Sequence, residues 1–395
     1  MKKKIRIANF MDSSLLDLKR KGNISDVPSL YNPENICEKV VHFTLYENDL
    51  SLQAFFEKSR IEIYYYGLFN KSSLLFFPLL FLKILNKIRK EKINVIRGRL
   101  PYHGSFFGCL AGKMLKIPSI VSLGGNNRIP QELNGIYHYN NRFFSYNLEK
   151  IVLLFADKII CPNKYTQDYV SGIIGTTKAE KKVIIIPWII KLPQANNINW
   201  SDLCKRFGFD QRRKLVLIVG FLNKYKFSDV IFDAIEKMNK DLKRKINIVF
   251  CGDGPLKNKG VERFKNTEEV FFIGWQERNV VQSLIKCAEI ILIPMSGFVL
   301  LEAASMGKAV VAGDIEWHNE IIENRKNGII VNPRNPIEWA DAVKFLIENR
   351  EDANIMGNLL KKRFEQHYHP DKAKDKEIRL YLSLLDARDK REKFA

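Results

Sequence analysis

The chain has 395 residues, 46% hydrophobic and 27% charged, the profile of a soluble globular protein with enough apolar material for two cores. Its six cysteines are scattered without a CxxC or a Cys/His cluster, which excludes a disulfide framework or a zinc module and fits small buried hydrophobes in a reducing compartment. A formal net charge of +20 favours polyanionic partners (nucleic acid, an anionic membrane face or phosphorylated substrates), or else reflects a general lysine bias of the source.

The N-terminal "MKKKIRIANF" is basic, but its apolar segment is too short for a signal peptide, so a cytoplasmic chain is expected. Apolar, β-branched runs predict strands at Lys4–Phe10, Lys39–Leu45, Ile61–Tyr66, Ile93–Arg97, Pro118–Leu123, Lys158–Cys161 and Lys182–Pro187. Several are apolar throughout rather than alternating, as strands covered on both faces require. The run Ser72–Lys92 is the most hydrophobic of the chain, but it meets Lys83 well before the ~20 residues of a bilayer span. It reads either as a core helix with a solvated basic end or as a helix lying on an anionic membrane surface.

The polar stretch Lys191–Lys214 breaks the pattern and predicts a linker with one short helix. A second series of strands follows at Lys214–Gly220, Ile246–Pro255, Glu269–Gly274, Glu289–Pro294, Lys308–Gly313 and Gly328–Val331, each beside a helical pattern. The tail after His369-Pro370 predicts one charged amphipathic helix. Two doubly wound α/β domains joined near residue 195 are therefore expected, with bounds at 1–195 and 196–365 and a terminal segment at 366–395. In such folds ligands bind beyond the C-terminal ends of the strands, so the loops there are where chemistry is sought.

Four such loops stand out. "VGFLNKYK" leaves its strand through Gly220 and places Lys226 where a lysine can meet a phosphate, or simply be solvated. In "FCGDGPLK", Gly252 and Gly254 either let a ligand approach the backbone or form a tight turn. Gly274, before Trp275, leaves room for a flat ring. In "SGFVLLEAASMGKAV" a helix is expected to start near Phe298–Leu300, with free backbone N–H groups able to hold a phosphate, and to stop at Gly307. Its lone carboxylate, Glu302, either balances the helix dipole or accepts hydrogen bonds from sugar hydroxyls.

"VGFLNKYK", "CGDGPLK", "VFFIGW", "KCAEIILIP" and "SGFVLLEAASMGKAVVAGDIEWHNEIIENRKNGIIVNP" occur in the order and spacing of the retaining glycosyltransferases of family 4. The chain resembles that family over Lys214–Phe364, and more loosely over "GSFFGCLAGKMLKIPSIVSL", "ADKIICPNKYTQDYV" and "KKVIIIP". The resemblance implies the GT-B fold: two facing Rossmann-like doubly wound domains, an acceptor domain and a nucleotide-sugar donor domain, with a C-terminal helix crossing back onto the first. It makes Lys226 and Glu302 the catalytic candidates, on the donor diphosphate and the nucleotide ribose. Gly220, Gly252, Gly254, Gly274, Gly297, Phe298 and Val299 complete the donor-binding set. His103, Asn126 and Arg128 are acceptor-side candidates by their loops. No metal or cofactor is expected, the donor being a nucleotide sugar, UDP-linked by expectation.

Four positions depart from the family pattern. Phe221 stands where the family carries Arg, and the first glutamate of the family's pair would fall at Pro294, or near Ser296 with a deletion. Gly124 takes the place of an acceptor-side histidine, and "PWI" at Pro187–Ile189 replaces "PNG". The expected function is sugar transfer to a glycan or lipid-linked acceptor in bacterial surface polysaccharide or glycoconjugate synthesis, with peripheral attachment to an anionic membrane and no nucleic-acid partner. The alternatives are a non-catalytic partner subunit and a nucleotide-sugar epimerase of the same fold.

Overall fold

A computed structural model of the chain describes all residues except 1–3, 12–13, 21–23, 25–26, 33–34, 45–47, 66–76, 127, 129–144, 194–197 and 394–395. The apolar run at 72–76, Leu45, Tyr66 and the Asn127, Ile129 and Pro130 positions of the "SLGGNNRIP" loop lie outside the described residues. The chain divides into two compact units: Met1–Asn127 with Asn140–Ile189 and Ala373–Ala395, and Arg128–Tyr139 with Ile190–Lys372. Each is built on one parallel sheet.

The first unit holds β1 (Arg6–Met11), β2 (Lys39–Thr44), β3 (Ile61–Tyr65), β4 (Val95–Arg99), β5 (Ser119–Ser122), β6 (Lys158–Cys161) and β7 (Val183–Ile185), in the order β3-β2-β1-β4-β5-β6-β7. Every pairing is parallel, so each strand returns through a crossover and all strands end on the same edge. One face packs on the helices Phe77–Lys90 and His103–Leu115, through Phe10 and Phe43 against Phe81, Ile84 and Ile88. Glycine is required at Gly108, whose added Cβ would fall 2.8 Å from the Phe10 ring.

The other face is closed by the C-terminal helix. Ala373, Leu380, Tyr381, Leu384 and Leu385 share a core with Ile7, Val40, Val95 and Ile120. That helix runs from Pro370 to Lys393, because the preceding helix continues to His367 and Pro370 pre-sets the first turn of the new one. The terminal segment expected from residue 366 thus begins four residues into that region. Within this core, Arg97 Nη1 donates to Glu377 Oε1 and to the Tyr381 hydroxyl, both at 2.7 Å, with Arg97 4% and Glu377 6% exposed.

The second unit holds β8 (Lys214–Val219), β9 (Ile246–Cys251), β10 (Val270–Gly274), β11 (Ile290–Ile293), β12 (Ala309–Gly313) and β13 (Ile329–Val331), in the order β10-β9-β8-β11-β12-β13 and again parallel throughout. Strands β9, β11 and β12 are buried throughout, β10 is half-buried, and helices cover the sheet, with Trp339, Val343 and Leu346 packed on Ile231 and Ile235. The linker region carries the short helix Trp200–Phe207, capped by the Asn199 side chain. Five of the six cysteines are buried and none of the six is paired in a disulfide. Among the described residues, no helix is long and apolar enough to cross a membrane.

A buried ion pair costs more when half of it is removed than when the whole is replaced, because a lone charge is left without solvent. Glu377→Leu should therefore lower the unfolding free energy by about 3–5 kcal/mol, whereas adding Arg97→Met to it should restore most of the loss. Denaturant midpoints of the two variants check this.

Candidate active site

In both sheets the strand order reverses once, between β1 and β4 and between β8 and β11. At such a reversal the two connections leave to opposite sides and open a crevice at the strand ends. In the second unit three loops come to that point, those after β8, β11 and β12.

The loop after β8 passes Gly220, whose φ of +148° favours glycine and beside which an added Cβ would meet nothing within 4 Å. It then forms a short turn, Lys224–Lys226, capped by Asn223 Oδ1 accepting from Lys226 N at 2.8 Å. This turn presents Lys226 over the end of β11, where its Nζ donates to the Met295 carbonyl at 3.0 Å. Burial lowers the pKa of this lysine, and the nearby Glu316 carboxylate works in the opposite direction. The lysine therefore brings a desolvated cation to the crevice.

Gly252 and Gly254 serve a different end. An added Cβ would lie 1.9 Å from Gly220 O at the first and 2.4 Å from Leu222 O at the second. Leu222 N donates to Asp253 O at 2.8 Å, and Leu256 N to Leu222 O at 3.0 Å, so the loops after β8 and β9 are zipped together by backbone. Of the two sequence readings, the close turn accounts for both glycines. Gly274 has φ +70°, and Trp275 beside it is 63% exposed rather than part of the core. Phe221, at the family's arginine position, is 55% exposed.

After β11 the helix spans Gly297–Ser305, starting one residue before the expected Phe298. Ser296 occupies the N-cap position, but its side chain makes no capping bond. The first N–H groups thus lack that partner and carry the positive end of the helix dipole. Gly297, Phe298 and Val299 form this first turn, with Phe298 55% exposed and Val299 buried. Gly307 ends the helix region with φ +68°, the left-handed turn expected of it.

Glu302 sits in the second turn, where the dipole effect has faded, and it is 8% exposed. Its Oε1 accepts from Arg278 Nη2 at 3.0 Å. Arg278 opens the helix Arg278–Cys287 after β10, and the same nitrogen reaches the Lys191 carbonyl at 3.3 Å. Dipole balance therefore does not explain this carboxylate; an arginine from the neighbouring connection does.

The loop after β12 adds two residues that sequence reasoning missed. Glu316 has φ +51°, a left-handed conformation costing a residue with a Cβ ~1–2 kcal/mol. Burial raises the pKa of its carboxyl, opposed by Lys226. His318 is fully buried, and its Nδ1 lies 2.8 Å from the Gly313 carbonyl, which makes that nitrogen the donor. Among the described residues its Nε2 has no hydrogen-bond partner. An added Cβ at Gly313 would fall 2.7 Å from Pro294 O, so the ends of β11 and β12 are in close contact. Position at a strand end was the one signal that could have found Glu316 and His318.

The acceptor-side candidates are not brought together in one unit. His103 opens its helix at the end of β4, half-buried, with its pKa lowered by burial. Asn126 follows β5, and its Nδ2 donates to the Tyr165 hydroxyl at 3.4 Å. Both belong to the first unit, whereas half-buried Arg128 is grouped with the second. Gly124, at the family's histidine position, is exposed.

Residues 202–363 match the model of the family described as Glycosyl transferases group 1. The matched residues lie within the second unit. The chain is 24% identical to the uncharacterized glycosyltransferase MJ1178 of Methanocaldococcus jannaschii over 281 residues, 69% of this chain and 70% of that protein. It is 29% identical to the alpha-D-kanosaminyltransferase of Streptomyces kanamyceticus, but over 38% of this chain and 40% of that one. Among solved structures, Anabaena HepE in complex with UDP superposes with a TM-score of 0.72 at 14% identity, covering 96% of this chain and 100% of that chain. The fold is GT-B, and the matches support a glycosyltransferase.

One consequence concerns acid stability. Burial holds the His318 imidazole at about 4 in the folded second unit, against its hydrogen bond to Gly313. The unfolded value is ~6.5. The depressed folded value means that stability is complete above the unfolded pKa and is lost as pH falls toward about 4. The loss should reach ~3 kcal/mol. His318→Gln should flatten this part of a pH series of unfolding midpoints, and an unchanged slope would rule the group out.

Proposed function

We propose that the protein is a retaining, metal-independent glycosyltransferase of family 4 type. It moves a sugar from a UDP-linked donor to a glycan or lipid-linked acceptor, in synthesis of bacterial surface polysaccharide or glycoconjugates. The observation that carries this reading is the convergence of Lys226 and the start of the helix Gly297–Ser305 at the β8/β11 reversal, with Lys226 Nζ 3.0 Å from Met295 O. A desolvated ammonium and the positive end of a helix dipole together form a cradle for a diphosphate.

The chemistry follows from charge. As the sugar–phosphate bond breaks, negative charge grows on the leaving diphosphate, where both groups already point. Preorganised donors of this kind are worth ~3–4 kcal/mol each when charge develops beside them. A donor phosphate oxygen takes the acceptor hydroxyl's proton, so no dedicated protein base is needed. Glu302 holds the ribose, with Arg278 orienting its carboxylate. Gly220 offers an open approach to the backbone, and Gly274 beside exposed Trp275 offers a flat surface to the base.

The reading extends to a peripheral position at the inner face of a membrane. The helix Phe77–Lys90 exposes Leu79 (60%) and Leu82 (51%) just ahead of exposed Lys83, Arg89 and Lys90. That pairing of apolar and basic side chains suits an anionic lipid surface. A second reading, a non-catalytic partner subunit, is favoured by the Arg278–Glu302 pair, which already occupies the carboxylate assigned to ribose.

Titration with UDP, GDP and ADP decides between them. Binding of one nucleotide below millimolar concentration supports the enzyme, and absence of binding to all three supports the partner subunit. Glu302→Ala should weaken the bound nucleotide about tenfold, a change of ~1.4 kcal/mol. An unchanged affinity with a lowered Tm would reduce Glu302 to a structural ion pair. Nucleotide release from a panel of donor sugars, with and without membrane extract, then identifies the transfer.

A further inference from the structure

The end of β11 carries no acidic side chain: Pro294, Met295 and Ser296 follow the strand directly. The neighbouring strand end does. After β12 come Asp314 and Glu316, and the two differ. Asp314 is exposed and accepts from Asn319 Nδ2 at 2.5 Å, a local loop bond. Glu316 makes no hydrogen bond or ion pair among the described residues, although it lies near a lysine and is half-buried.

Its placement is unusual for a carboxylate that merely neutralises Lys226. A counterion would close on the ammonium, but Lys226 Nζ donates to the Met295 carbonyl and, among the described residues, makes no ion pair with Glu316. Glu316 stays beyond ion-pair distance of Lys226 but close enough to act on its charge, and it follows the end of β12, which abuts the end of β11 where Lys226 is bonded. The residue is also held at φ +51°, where a side chain bearing a Cβ is disfavoured. Local strain retained at a strand-end loop directs attention to what the side chain does there.

We propose that Glu316 reads the donor sugar: from the end of β12 its carboxylate accepts hydrogen bonds from hydroxyls of the sugar carried on the diphosphate. This rests on the nucleotide-sugar function proposed above. Two carboxylate oxygens accept from adjacent hydroxyls, and this recognition depends on hydroxyl configuration. The carboxylate repels the phosphates and so leaves them to Lys226 and the helix start. A polyhydroxylated sugar, rather than the nucleotide, is therefore its partner. The acid that the end of β11 lacks is thereby supplied from the next strand.

The test is a set of titrations of the full chain with UDP, GDP, UDP-glucose, UDP-galactose, UDP-N-acetylglucosamine and GDP-mannose, on wild type and Glu316→Gln. Wild type should prefer one sugar among donors that share a nucleotide. Glu316→Gln should leave affinity for the free nucleotide equal or somewhat higher, and weaken the preferred donor about tenfold, erasing the preference. Glu316→Asn, which tolerates the left-handed backbone, should keep the wild-type Tm and lose the same preference. Three results overturn the proposal while leaving the function intact: no sugar preference in wild type, a preference kept by both variants, or equal shifts for nucleotide and nucleotide sugar, which would make Glu316 a counterion. Binding of none of the six compounds overturns the function reading and this one with it.

Discussion

The reversal of strand order between β8 and β11 is the constraint on which the site depends. Parallel strands need crossovers, so every strand of the second unit ends on one edge. Connections to one side of β8 leave one way and those beyond β11 leave the other. The space between them cannot be filled by either layer of helices. The Lys226–Met295 hydrogen bond spans it with one side chain, at the expense of that lysine's hydration. A buried ammonium costs stability that packing elsewhere must supply. A desolvated ammonium at a strand-end crevice marks a candidate anion site.

The glycines divide between scaffold and opening. Gly252, Gly254 and Gly313 sit where backbone runs against backbone, and an added Cβ at each would strike a carbonyl oxygen. They hold the loops after β8 and β9 together and bring the end of β12 against that of β11. Gly220 alone of this group faces free space. Tight packing around the crevice and openness above β8 are thus two outcomes of the same residue type, and spacing along the chain does not distinguish them.

This separates what the sequence revealed from what it concealed. Strands such as Lys214–Val219 and Ile246–Cys251 were legible because β-branched apolar runs end abruptly at glycine. Lys226 and the helix bearing Glu302 followed from position after a strand. Arg278, Glu316 and His318 did not. Arg278 meets Glu302 across 24 residues only because the helix after β10 and the helix after β11 pack on the same side of the sheet. Hydrophobic periodicity fixes which face of an element is buried, but not which strand lies beside which. Glu302 illustrates the cost. Read alone it was a dipole residue or a ribose ligand, and the arginine that pairs with it was invisible.

The first unit shows the same limit at longer range. Arg97 lies in the middle of β4, where an isolated charge would be prohibitive, and its neutralising carboxylate comes from 280 residues further along. The sheet face that holds it is apolar toward the strand starts (Ile7, Val40 and Val95) and polar toward the strand ends, with Asn9, His42 and Thr44 buried there. Only a helix that is itself divided, Leu380 and Leu384 for one half and Glu377 and Tyr381 for the other, matches that surface. The C-terminal helix has this pattern, and its burial ties residues after Ala373 into a core begun by β1. Contacts of such high sequence separation slow folding. The core of the first unit is therefore complete only when the residues after Ala373 have joined it.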